Sequence, residues 1–312
     1  MSRASYRDPI RHFATSPLSP NNANFMKTAK NTMNLVLQGL DDCKARLERI
    51  AALTAPKTIT WLGERAVRCE GIAFSPALRQ TIEVAAHAAQ LDAIYSIGMH
   101  KMSEFKLVAM DMDSTLITIE CIDEIADMQG LKPQVSEITE AAMRGELDFA
   151  ESLKRRVALL EGLEASALEH VYDERLQLSL GAEAMLKAVQ QAGLKTLLVS
   201  GGFTFFTERL KTRLGLDYTN ANELEIVGGR LTGKVLGTIV DAEEKQRTVE
   251  RVCAELGIAP SQAIVMGDGA NDLKMMSIAG MSVAFRAKPV VREQANVALN
   301  FVGLDGILPL LT

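Results

Sequence analysis

The sequence has no clustered cysteines: Cys43, Cys69, Cys121 and Cys253 lie far apart and form no C-x-x-C pair. That spacing excludes a disulfide framework or an ordinary zinc site and predicts reduced, packed thiols in a cytoplasmic protein. No stretch reaches the roughly 18 uninterrupted apolar residues of a membrane span. The N-terminus lacks the apolar segment of a secretory signal. A strongly basic block is missing too. Lys and Arg number 34 against 39 Asp and Glu, a formal net charge of −5. That balance argues against an extended nucleic-acid surface. An anionic ligand must therefore be attracted by local groups rather than by a global field.

What is present is a globular composition, 47% hydrophobic and 23% charged over 312 residues. Such a chain has room for about two domains and can bury a core without disulfide or structural metal. Residues 1–32 stand apart, rich in Ser, Asn and Pro, with five basic residues (Arg3, Arg7, Arg11, Lys27, Lys30) and one acid, Asp8. They read as a disordered extension, or as the result of a start codon placed before Met26 or Met33, rather than as an organelle transit peptide.

Regular patterning begins at Asn34. Asn34–Gln38 reads as a strand, Asp41–Leu53 as a helix, and Lys57–Leu62 and Ala66–Ala73 as a hairpin around Gly63. Ser75 suits the N-cap of a helix to about Gln90, and Leu91–Ile97 reads as a strand. The order β-α-β-β-α-β is the ferredoxin-like arrangement, which is a packing solution rather than a function.

After Gly98 the pattern changes. Phe105–Asp111 is an apolar run ending in acids, as expected of a parallel strand buried on both faces. Residues 120–178 have helical spacing throughout. Helices at Ala182–Gln191, Phe203–Leu214, Glu243–Leu256 and Asn271–Ala279 then alternate with strands at Leu194–Ser200, Ala263–Gly267 and Met281–Phe285. Glu225–Val235 reads as a hairpin inserted in that series. The fold class expected is α/β, a doubly wound parallel sheet with ligands at its C-terminal strand ends. Its helical cap is inserted after the first strand. The expected division is an extension at 1–32, a small α+β ferredoxin-like domain at 33–98 and the larger domain at 104–312, with the cap at 120–178.

Four strand-end motifs carry chemistry. Asp111-x-Asp113-x-Thr115 places two carboxylates on one side of a strand, fit for Mg²⁺ and for acid–base work. Taken alone it also fits solvated acids, or the D-x-D of some sugar transferases. Ser200-Gly201-Gly202 combines a hydroxyl, two glycines and a helix N-terminus, a phosphate cradle or a plain turn. Lys245 opens a helix, where lysines are usually solvated, and only its place between the other motifs suggests phosphate neutralisation. Gly267-Asp268-Gly269-Ala270-Asn271-Asp272 concentrates acids at a tight turn, pointing to a cation or to a helix cap.

In this order the four motifs resemble the haloacid dehalogenase superfamily of phosphotransferases, over residues 105–302. From Asp111 to Leu160 the chain resembles the phosphoserine phosphatase family. That family's D-x-D-S-T is followed by a glutamate with I-D-E-I-A close behind, here Glu120 and Ile122-Asp123-Glu124-Ile125-Ala126. A methionine before a glycine, a phenylalanine and S-L-x-x-R-V follow, here Met143, Phe149 and Ser152 to Val157. The resemblance implies attack by Asp111 on phosphoserine, with Asp113 as general acid and base. It implies Mg²⁺ on Asp111, the Asp113 backbone carbonyl and Asp268, with Asp272 nearby. Ser200, Gly201, Lys245 and Asn271 would hold the phosphoryl group. Arg156 would take the substrate carboxylate, Glu120 its ammonium, and Met143 and Phe149 would exclude water. A related small-metabolite phosphatase, or transfer to a second alcohol such as homoserine, is the neighbouring alternative. A non-catalytic amino-acid sensor would have lost one of the acids that are present. By order of elements only, the N-terminal region resembles amino-acid-sensing ACT domains, implying serine sensing or, more plainly, a homodimerisation module.

Overall fold

The computed structural model describes residues 32–73, 75–96, 100–143 and 146–311. The extension therefore lies outside the described residues, apart from Thr32. The first unit contains β1 (Thr32–Gly39), α1 (Lys44–Ala52), β2 (Thr58–Trp61), β3 (Ala66–Ala73), α2 (Pro76–Ala88) and β4 (Leu91–Ser96). Its sheet runs β2-β3-β1-β4 with every neighbour antiparallel, the ferredoxin-like order. Ser75 caps α2 as expected, its Oγ accepting the Leu78 N–H at 3.1 Å. Alternation along β1 divides the sheet's two faces. Leu35 and Leu37 pack with Leu47, Ile50 and Ile82 under the helices. Val36 instead joins Val302, Ile307 and Leu310 in the core of the larger unit.

The larger unit is built on β5 (Leu107–Met110), β6 (Lys195–Phe203), β7 (Tyr218–Val227), β8 (Arg230–Leu236), β9 (Ala263–Gly267), β10 (Met281–Phe285) and β11 (Val297–Leu299). The sheet order is β11-β10-β9-β5-β6-β7-β8, parallel except for the antiparallel β7–β8 pair. Central β5 is fully buried because both of its faces are covered. Val108 and Met110 join one apolar cluster, Leu107 and Ala109 the other. The cap follows β5, with α3 (Cys121–Asp127), α4 (Lys132–Met143), α5 (Phe149–Ala158) and α6 (Ser166–His170). Core helices α7 (Ala182–Gln191), α8 (Thr204–Leu214), α9 (Ala242–Glu255), α10 (Leu273–Ser277) and α11 (Pro289–Gln294) complete it.

Two local expectations change, and two short elements go unread. The hairpin is not an insertion, because β7 begins at Tyr218 and pairs in parallel with β6. Its half-buried polar start, Tyr218-Thr219-Asn220, hides the strand from a hydrophobicity pattern. β11 and α11 carry no readable signal, being three and six residues long. Finally, β5 stops at Met110, and Met112–Leu116 forms a π-type turn in which Ser114 takes φ +55°. The placement of Asp113 therefore comes from a turn and not from strand pleating.

Candidate active site

Three parallel strands, β9, β5 and β6, end side by side, and the residues just past them converge. Asp111 follows β5 and is buried, its Oδ1 accepting the Met112 N–H at 2.8 Å. Lys245 reaches the same oxygen at 2.8 Å and Asp272 Oδ1 at 2.7 Å. This lysine is 1% exposed, the opposite of its usual surface habit. Helix α9 presents it because Asp241 caps the helix, accepting the Glu243 and Glu244 N–H groups at 2.9 Å each. Burial lowers the pKa of the ammonium, but Asp111 and Asp272 outweigh that and raise it.

The acids show the complementary effect. Burial, then the charge of Asp272, holds Asp111 well above the usual carboxylate range, with Lys245 opposing. Asp268 is pushed up to about 6 by burial and Asp272. Burial and then Glu120 push Asp113 up to about 7. Carboxylate oxygens of Asp111, Asp268 and Asp272 lie within 4.8 Å of one another. Such closely spaced like charges, two of them buried, form a hard-oxygen set suited to a divalent cation.

Asp272 has a second task. Its Oδ2 accepts the Asp268 and Gly269 N–H groups at 3.1 and 3.0 Å, folding the turn back on itself. A Cβ on Gly267 would meet that carboxylate, so only glycine fits there. Thr115 Oγ1 donates to Asp268 Oδ1 at 3.4 Å and ties the first motif to the fourth. The Asp113 carboxylate belongs to a different neighbourhood. It accepts the Cys121 N–H at 3.3 Å, and a Cβ on Gly202 would come within 2.9 Å of it.

At the end of β6, Ser200 Oγ accepts the Gly202 N–H at 2.8 Å. Asn222, 1% exposed, braces this turn by donating to Gly201 O at 2.8 Å and accepting the Val240 N–H at 2.8 Å. The cap closes from above. Phe149 Cζ lies 2.8 Å from where a Gly201 Cβ would be. Asp148 starts α5 by accepting the Glu151 N–H at 2.7 Å. Arg156 lies two turns further along that helix, on the same side as Phe149. Its guanidinium, half-buried, has its pKa lowered by burial, while Asp123, Glu120 and Asp113 counter that loss. Among the described residues it forms no direct ion pair with any of them, and its Nε donates to Ser152 O at 3.4 Å. Glu120 is exposed and accepts from Ser114 Oγ at 2.7 Å. Asn271 folds over Gly269 at the turn. Met143 closes α4, and its side chain lies outside the described residues.

Sequence reasoning underweighted Asp272 and missed Asn222. Asp272 stood inside a recognised motif and could be found there. Asn222 carried no signal, since its role depends on two distant loops.

The chain matches the haloacid dehalogenase-like hydrolase family over residues 105–280. It is 57% identical over 216 residues to the phosphoserine phosphatase of Polaromonas sp. (strain JS666), covering 68% of this chain and 92% of that protein. A probable phosphoserine phosphatase from Vibrio cholerae superposes with TM-score 0.77 at 35% identity, covering 98% of this chain and 91% of the other. A phospho-aspartyl intermediate analogue of phosphoserine phosphatase gives TM-score 0.63 at 38% identity, over 67% of this chain and 99% of the other.

Proposed function

The chain belongs to the haloacid dehalogenase-like hydrolases and, within them, to the phosphoserine phosphatases, and on that premise we propose that it hydrolyses O-phosphoserine through an aspartyl-phosphate on Asp111. The observation that carries this reading is the buried Asp111, gripped by Lys245 beneath a cap helix that bears Phe149 and Arg156.

Asp111 attacks phosphorus in line, so that an oxygen–phosphorus bond forms on its carboxylate as the bond to the serine oxygen breaks. Asp113 supplies the proton that the departing serine oxygen needs. Its pKa of about 7 keeps that proton available near neutrality. Water then attacks the phosphorus of the aspartyl-phosphate, Asp113 takes the proton back, and phosphate leaves. Lys245, Ser200 and Gly201 hold the phosphoryl oxygens, with Asn271 beside them, and Asp272 keeps Lys245 and the metal turn in place. Magnesium suits the acidic group, where Asp111, the Asp113 backbone carbonyl and Asp268 would hold it. When bound, it supplies Lewis-acid charge that screens carboxylate from phosphate. Arg156 takes the substrate carboxylate in a two-point fork and Glu120 takes its ammonium. Phe149, with Met143, keeps water out.

The N-terminal unit reads as a dimerisation module, since its edge strand β2 leaves Ile59 and Trp61 exposed; light scattering measures that directly. A cytoplasmic location agrees with four buried, unpaired cysteines. Among the described residues no helix is long and apolar enough to cross a membrane.

Phosphate release across phosphoserine, phosphothreonine, sugar phosphates and nucleotides, with and without magnesium, tests the reading. Phosphoserine should be the preferred substrate and chelation should stop turnover. Equal rates on the other esters would overturn the substrate assignment.

A further inference from the structure

Among the described residues, backbone hydrogen bonds join the helical cap to the core at two places, apart from the side-chain contacts of Phe149 with Gly201 and Glu169 with Arg209. The base of the cap is a pair of chain segments joined by Thr118 N–H to Gln177 O and Ser179 N–H to Leu116 O, each at 2.9 Å. By itself a base of that kind would not fix the height of the far ends of the cap helices. The second attachment lies beyond the C-terminal end of α5, where residues 162–165 add to the outer edge of β8. Gly162 N–H donates to Leu231 O, Leu231 N–H to Leu163 O and Ala165 N–H to Gly229 O, each at 2.8 Å. Arg230 reinforces the seam, with Nη1 donating to Gly162 O at 2.7 Å and Nη2 pairing with Glu164 Oε1 at 2.9 Å. Gly233, at φ +77°, lets the strand lie directly on the helix. A Cβ there would sit 3.3 Å from Ala158 Cα and 3.1 Å from Glu161 Cβ.

We propose that Arg230 and Gly233 are positioning residues for substrate discrimination, setting the height of α5 above the site; this rests on the phosphoserine reading above. Helix α5 has 10 residues, a rod of about 15 Å. Phe149 at its start is seated on Gly201, and Arg156 lies two residues before its last helical position, Ala158. A Cβ on Gly233 pushes on the same turn that carries Arg156. Asp111, Ser200 and Lys245 stand on the core and are not displaced by it. Neither Arg230 nor Gly233 touches a reacting atom, so both act through α5. Loss of the seam should therefore weaken recognition of the substrate's carboxylate and spare the phosphoryl chemistry.

The test compares phosphoserine with p-nitrophenyl phosphate, which has neither carboxylate nor ammonium, on the full chain. The variants are Gly233→Ala, Arg230→Ala and Gly237→Ala. Gly237 has φ +71° but open space around its Cβ position, so it brings similar backbone strain without the contact. Gly233→Ala and Arg230→Ala should each raise KM for phosphoserine on the order of tenfold. Their kcat/KM on the aryl phosphate should stay within about twofold, and Gly237→Ala should change neither. An unchanged phosphoserine KM, or equal loss on both substrates, would overturn the proposal. Should Gly233→Ala not fold, Arg230→Ala and Glu164→Ala carry the test, both being surface groups. A wild-type protein with no preference for phosphoserine would instead overturn the substrate assignment itself, and the inference would fall with it.

Discussion

Lys245 shows how far a residue's surroundings can reverse its usual behaviour. An isolated buried ammonium costs several kcal/mol, and the chain tolerates this one because two carboxylates lie within 2.8 Å. Asp111 and Asp272 are in turn kept apart by the lysine between them. Replacing Asp111 with Asn keeps the shape and removes the proposed nucleophile. Asp111→Asn should abolish phosphate release while the far-ultraviolet circular dichroism stays as in the wild type; retained turnover would refute the nucleophile assignment. Arg156 is proposed to bind the substrate's carboxylate. Arg156→Ala should raise KM for phosphoserine by roughly 100-fold, the loss of about 3 kcal/mol expected for a charge-assisted pair. An aryl phosphate should show little change in steady-state assays, and parallel losses would count against a carboxylate role.

Among the elements, α9 holds the lysine, and its first turn depends on Asp241 accepting two N–H groups. Asp241→Ala should lower stability by about 1 kcal/mol in urea titrations. It should also reduce kcat, because Lys245 lies on the fourth helical position after that cap. Element by element, legibility followed burial. β9 and β10 are legible to the residue, as Ala263–Gly267 and Met281–Phe285, since strands covered on both faces must be apolar runs. The helix Ala182–Gln191 was equally plain from its spacing. The first half of β7 was not, because it is only half-buried and carries polar residues. The turn after β5 was not either, since its geometry rests on Ser114 at positive φ, which no residue type announced.

At the scale of the whole molecule, Asp92 joins the two units. From β4 it accepts N–H groups of Asn300, Phe301 and Val302 at 2.8 to 3.1 Å, and the Asn300 Nδ2 at 3.2 Å. Gln38 adds a bond to Gly306 O at 3.0 Å. Asp92→Ala would leave four donors at this buried or half-buried junction without their acceptor, at a cost of about 3 kcal/mol. The urea midpoint should fall accordingly, and a lower m value would report that the N-terminal unit has come loose. A midpoint within error of the wild type would show that the junction does not depend on Asp92.

By itself the sequence determined the alternation of buried strands and helices and the chemistry available at each strand end. Those follow from local requirements, apolar residues where both faces are covered and glycine or acid where a turn meets a charge. It could not determine which acids meet. Asp111, Asp268 and Asp272 share a 4.8 Å neighbourhood because β9 and β5 are adjacent in the sheet. Asn222 braces Gly201 because β7 lies beside β6. Nor could it show that α5 is held at two ends, on Gly201 and on β8. These are distances between segments remote in the chain, and only the tertiary fold brings such segments within bonding range.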